Sequence, residues 1–149
     1  MYKHILVPTD GSELSDKAVQ AAVKLAKLAG ARLTAFHAIE PYPLQGAYAA
    51  EASGVAELQP EVFAERSEEY AKRVLDAVAT AAAAENVQCA TDYATSRSAS
   101  QAIVDKAAKE NCDLIVMASH GRRGLEGFLL GSETQKVLTH TSIPVLVYR

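Results

Sequence analysis

The sequence has no tryptophan, and aromatic residues make up only 6% of its 149 positions. Its core must therefore rest on aliphatic and small side chains, and abundant alanine suits helices packed closely on a flat surface. An excess of basic charge is also missing: 15 Lys and Arg against 18 Asp and Glu leave a net charge of −3. That excludes a broad nucleic-acid footprint, which needs a basic face. Cysteine is scarce, and Cys89 and Cys112 form no CxxC or metal-like cluster. A disulfide-stapled secreted domain is excluded, which leaves two free thiols in a reducing cytosol as small core residues. No stretch approaches the ~20 apolar residues of a membrane span, and the opening MYKHILVPTDGS carries no cleavage-site pattern. The expectation is one cytoplasmic domain over residues 1–149, with no membrane contact.

Short apolar runs alternate with helical patterns. His4–Val7 (HILV), ended by Pro8, reads as a strand buried on both faces. Asp10–Glu13 (DGSE) opens a helix that Gly30 stops, and Arg32–Ile39 (RLTAFHAI) is a second strand. Residues Glu40–Gln59 lack periodicity and far exceed the usual connection of about 4–6 residues. The expectation for them is disorder or partner contact, the alternative being a cover over a pocket through Tyr42 or Tyr48. Pro60 suits the first position of a helix with a stripe of Phe63, Tyr70, Val74, Ala77 and Ala81, ending near Asn86. Val87–Ala94 alternates, as an edge strand does. Ser98–Gln101 (SASQ) and Ser132–Gln135 (SETQ) are capping boxes opening two more helices. Asp113–Met117 and Ile143–Tyr148 are the remaining strands.

This order predicts an α/β fold: a five-stranded parallel sheet, order 3-2-1-4-5, with helices on both faces. Ligands in such sheets bind beyond the carboxyl ends of the strands, where the order reverses. The reversal lies between the first and fourth strands. It brings Pro8-Thr9-Asp10-Gly11-Ser12 and Ala118-Ser119-His120-Gly121 to one crevice.

The stretch MASHGRRGLEGFLLGSETQ, Met117–Gln135, supplies the chemistry. Its glycines allow close backbone approach to an anion, and the helix at Ser132 offers unpaired N–H groups and the positive dipole end. Ser132 and Thr134 add hydroxyls, although Ser132 could serve only as a cap. No lysine follows Gly131, so a Walker loop is missing, and PTDGSE is no GxGxxG. A lysine-dependent NTPase and an NAD-type dehydrogenase are therefore unsupported.

These residues together resemble the universal stress protein family, of the small single-domain, ATP-binding type. The resemblance spans nearly the whole chain and rests on ILVPTDGS, HAIE, DLIVMASHGRRG, GSETQKVL and PVLVY. It implies a Rossmann-like fold related to the adenine nucleotide alpha hydrolases. It also implies ATP, or ADP or AMP, as ligand, with Mg²⁺ held mainly by the phosphates. Many members bind ATP through Gly, two residues, Gly, nine residues, then Gly with Ser or Thr. Gly121, RRGLEGFLL and Gly131-Ser132 match the later parts, and Ala118 replaces the first glycine. By the same resemblance Asp10 lies near the ribose, Pro8 and Thr9 line the pocket, and Ala38 offers backbone to the adenine edge. Met117 lies near sugar and base. Gly121, Gly131, Ser132, Glu133 and Thr134 surround the phosphates, Glu133 through its amide with its carboxylate turned away.

Plainer roles exist for several residues. Asp10 could cap the first helix while also meeting a ligand. Arg122 and Arg123 clamp phosphates or sit in solvent. His120 beside Ser119 suits turn stabilisation better than a nucleophile–base pair, because no orienting acid is identifiable. His4, His37 and His140 are scattered and do not read as metal ligands. The apolar last strand, at a sheet edge, predicts a homodimer through Val145–Tyr148, as in many family members. The functional expectation is a nucleotide-dependent stress-response or regulatory module with an unidentified protein partner and no catalytic residue. The alternatives are a weak ATPase or autophosphorylating enzyme, and a nucleotide-free interaction module.

Overall fold

The computed structural model describes residues 1–43, 52, 54, 59–121 and 130–149. Among these the elements run β1 His4–Pro8, α1 Glu13–Ala29, β2 Arg32–Ile39, α2 Pro60–Ala84, β3 Cys89–Thr95, α3 Ala99–Lys109, β4 Leu114–Ala118, α4 Ser132–His140 and β5 Val145–Tyr148. All strand pairs are parallel and the order is β3-β2-β1-β4-β5, as the sequence predicts.

Strand pleating divides the core. Ile5 and Val7 of β1 turn to one face and meet Val19 and Val23 of α1 with Leu75 and Val78 of α2. Leu6 turns to the other and meets Ile115 and Met117 of β4, Ile103 of α3 and Val137 of α4. β1 and β4 are the apolar centre because helices cover both their faces. β3, by contrast, is mostly exposed at its edge.

Three helices stop by one device. Gly30, Asn86 and Asn111 adopt left-handed φ values of 64°, 57° and 53°. The residue after each turns inward: the amides of Ala31, Val87 and Cys112 donate to Ala26, Ala82 and Ala107 carbonyls, each at 2.9 Å. Those three residues are buried, so the helix end is fastened by an apolar contact as well as by hydrogen bonds. This places Cys112 in the core, whereas Cys89 is half-buried at the β3 edge, and both thiols are free.

Several boundaries differ from expectation. β3 begins at Cys89 instead of Val87, because Val87 closes the α2 stop. The buried stripe of α2 is Ala71, Leu75, Val78 and Ala82, one residue beyond the predicted Tyr70, Val74, Ala77 and Ala81. Alanine surrounds this helix on all sides, so its apolar period does not single out one face. α4 is capped by Gly131, and Ser132 is its first helical residue with no capping bond, so SETQ is not a capping box. At α3 only half the box forms: Ser98 accepts from the Gln101 amide, while the Gln101 side chain donates to Asp105. Tyr48 and most of Glu40–Gln59 lie outside the described residues. No helix among the described residues is long and apolar enough to cross a membrane.

His4 ties β1 to its neighbours and is buried. Its Nδ1–H donates to the Glu110 carbonyl at 3.0 Å, which leaves Nε2 to accept from the Thr34 hydroxyl at 2.8 Å. Burial, helped by the nearby Arg32 charge, holds its pKa below 6.5, so the fold favours the neutral ring. An unfolded chain takes up that proton below pH 6.5; the contribution is complete above that pH and is lost as pH falls through the lower folded value. The urea midpoint should therefore drop between pH 7.5 and 5.5, and His4→Gln should show a smaller drop. Equal drops in the two proteins would refute the assignment.

Candidate functional site

A cavity of about 1050 Å³ opens over the carboxyl ends of β1, β2 and β4. It lies just above the range of roughly 300–1,000 Å³ usual for small-molecule sites. Pro8, Thr9 and Asp10 form its β1 side, and Ala38 lies on the β2 side. Met117, Ala118, His120 and Gly121 form the β4 side, with Gly131, Ser132, Glu133 and Thr134 beyond. Every predicted site residue within the described chain is on this wall; Arg122, like Arg123, lies outside the described residues.

The turn after β1 is folded by its own polar atoms. Asp10 Oδ1 accepts from the Ser12 amide at 3.0 Å, and Ser12 Oγ, not Asp10, caps α1 by accepting from Ser15 at 3.2 Å. Asp10 thus sets the turn ahead of the cap. Two residues that the sequence reading left outside the site support this turn from behind. The His37 Nδ1–H donates to the Thr9 carbonyl at 2.7 Å, and the Tyr70 hydroxyl donates to the Asp10 carbonyl at 2.7 Å. The two rings meet edge to face at 5.7 Å. A buried histidine inside an apolar strand was the available signal for His37; Tyr70, read as part of a core stripe, gave none.

The glycines also make close contacts within the protein. A Cβ on Gly121 would strike the Asp10 carboxylate, and one on Gly131 would lie 3.1 Å from the Ser119 oxygen and the His120 Cα. Their bareness lets the two loops and the start of α4 close on one another. Gly11, at φ +75°, has the Tyr70 hydroxyl and Val74 where a side chain would go.

Two expected donors are also engaged within the protein. The Gly131 amide donates to the Ser119 carbonyl at 2.7 Å, and the buried Thr134 hydroxyl donates to the Ala118 and Ser119 carbonyls at 3.1 and 3.0 Å. The amides of Ser132, Glu133 and Thr134 have no intrahelical partner in the first turn of α4, and these make the anion-seeking end. The Glu133 carboxylate accepts from the Ser100 amide of α3 at 2.7 Å and pairs with Lys136 at 2.9 Å. Burial alone would raise its pKa, but Lys136 and the Ser100 amide bring it below the usual carboxylate value, so it is ionised at neutral pH. Ser119 Oγ and His120 Nδ1 are 3.2 Å apart, yet Ser119 is buried and only His120 reaches the cavity. That arrangement is a turn brace and not an accessible nucleophile. On the far side, Tyr42 meets Phe63 edge to face at 5.3 Å, and Phe63 is part of the wall. No group of three potential metal-ligating side chains occurs among the described residues.

The universal stress protein family model matches residues 1–149. A universal stress protein of Methanocaldococcus jannaschii is 35% identical over 149 residues, covering 100% of this chain and 83% of that protein. A solved hypothetical protein, the subject of a structure-based functional assignment, is 26% identical with a TM-score of 0.78, covering 99% of this chain and 96% of its own. A solved universal stress protein in complex with cAMP shares the fold at 24% identity and TM-score 0.71, covering 99% and 97%.

The Gly11–Tyr70 contact makes a direct prediction. Gly11→Ala should cost about 1–3 kcal/mol in chemical denaturation, through positive φ and overlap with the Tyr70 hydroxyl. In a Tyr70→Phe background that cost should shrink, giving a non-additive cycle. Strict additivity would show that the two groups do not meet.

Proposed function

The chain belongs to the universal stress protein family, and from that footing we propose that it is an ATP-binding regulatory module of the stress response. The ligand is ATP, or ADP or AMP in its place, with Mg²⁺ carried mainly on the phosphates. The observation that carries this reading is the meeting of three segments on one cavity: Pro8–Asp10, Ala118–Gly121 and Gly131–Thr134. In it, the ribose lies toward Asp10, with Pro8 and Thr9 beside it, and the adenine edge reads the backbone at Ala38 near Met117. The phosphates lie against the first-turn amides of α4, with the Ser132 hydroxyl and His120 alongside. Arg122, outside the described residues, is proposed as a further positive charge for the phosphates. The complex of a universal stress protein of the same fold with cAMP supports the ligand class.

The module works as a homodimer. Among the described residues β5 is an edge strand paired with β4, and Leu146 is 44% exposed on it. An apolar edge of this kind is a template for a second copy. Pairing Val145–Tyr148 across a two-fold axis covers it, and the regulatory partner binds elsewhere.

Denaturing the purified protein should release an adenine nucleotide. Saturating ATP, at 100 times its Kd, stabilises by about 2.7 kcal/mol and should raise the melting temperature by several degrees. Gly131→Val should lose this response and keep the dimeric mass, because it disturbs the α4 start and not the β5 edge. Release of no nucleotide, together with a melting temperature insensitive to ATP, would sink the reading. A monomeric mass at micromolar concentration would sink the dimer alone.

A further inference from the structure

Two helix N-termini open on the cavity: Ala99 begins α3 and Gly131 caps α4, and both are on its wall. They are not equivalent. At α4 the first amides are without intrahelical partners. At α3 the Ser100 amide already has an anion, the Glu133 carboxylate at 2.7 Å. Glu133 is itself a wall residue, its side chain 41% exposed, and both groups that hold its carboxylate, Ser100 and Lys136, line a separate, smaller cleft next to the cavity. Among the described residues, the charged groups on the β1–β4–α4 part of the wall are both acidic, Asp10 and Glu133. The described wall's arginine, Arg66, comes from α2.

We propose that the Glu133 carboxylate sets how many phosphates the site accepts, by fixing a negative charge at the border of the cavity between α3 and α4. The inference rests on the nucleotide reading above. The first phosphate meets the α4 amides, where helix dipole and N–H groups favour it. Each further phosphate approaches a negative charge already held by Ser100 and Lys136. AMP and ATP then compete on nearly equal terms, despite the greater charge available for binding in ATP. Which nucleotide fills the site consequently follows the AMP-to-ATP ratio of the pool and not ATP concentration alone.

Glu133→Gln is the suited variant, because its amide oxygen still accepts from Ser100 while the charge is gone. Affinities for AMP, ADP and ATP are measured by calorimetry in EDTA for both proteins. The parent should bind AMP and ATP within about tenfold of each other. The variant should gain on the order of tenfold for ATP, less for ADP, and stay within about twofold for AMP, the scale of a screened carboxylate–phosphate repulsion near a protein surface. A structural role for Glu133 would move all three affinities together, and such a parallel shift overturns the proposal. So does an unchanged series in the variant, and either result leaves the nucleotide reading intact. A parent protein that binds none of the three removes that reading and this inference with it.

Discussion

The site depends on how closely two loops pass at the point where the sheet reverses. β1 leaves through α1 toward β2, and β4 leaves through α4 toward β5, on opposite faces. Divergence alone would leave a slot between them. What turns the slot into a wall is contact without side chains: Gly121 against the Asp10 carboxylate, and Gly131 against the Ser119–His120 backbone. A Cβ at Gly121 would displace the Asp10 carboxylate, and one at Gly131 would press on the Ser119–His120 backbone.

The same closeness explains where the polar groups go. The Ser119 carbonyl receives the Gly131 amide and the Thr134 hydroxyl, while the Ser119 amide donates to the Tyr148 carbonyl at 2.7 Å. Thr9 and Asp10 give their carbonyls to His37 and Tyr70. Most donors near the cavity are therefore employed in fixing its shape. Among the described residues, the first-turn amides of α4 remain, on a helix end whose position is determined from several sides. A site of this kind recognises through preorganisation more than through numerous contacts.

Much of this was legible in the sequence, for identifiable reasons. HILV and DLIVM announce central strands because burial on two faces removes the alternation of apolar and polar positions, and the alternation of VQCATDYA announces an edge. From these the strand order and the place of the cavity follow. What was not legible depended on three-dimensional neighbours. The α2 stripe was displaced by one residue because alanine is apolar but small enough to face solvent. Ser132 resembled a cap, yet Gly131 took that place, where a Cβ would lie tightly against the Ser119 carbonyl. His37 and Tyr70 are 33 residues apart in sequence, and no local pattern could say that both would reach under one turn.

Ala118 is the departure from the family's glycine pattern, and its surroundings limit what that departure can do. It ends β4 in register with Tyr148, is 8% exposed, and its carbonyl accepts from Thr134. It is not among the residues with positive φ, so its backbone does not call for glycine. The loop positions where a Cβ would meet close neighbours, Gly121 and Gly131, are retained. The methyl of Ala118 therefore removes a little space from a cavity of about 1050 Å³ without changing the path of the strand or the hydrogen bonds that fix the loop. Its effect falls on the fit of whatever rests against that point of the wall, while the anion-seeking end on α4 stays as it is.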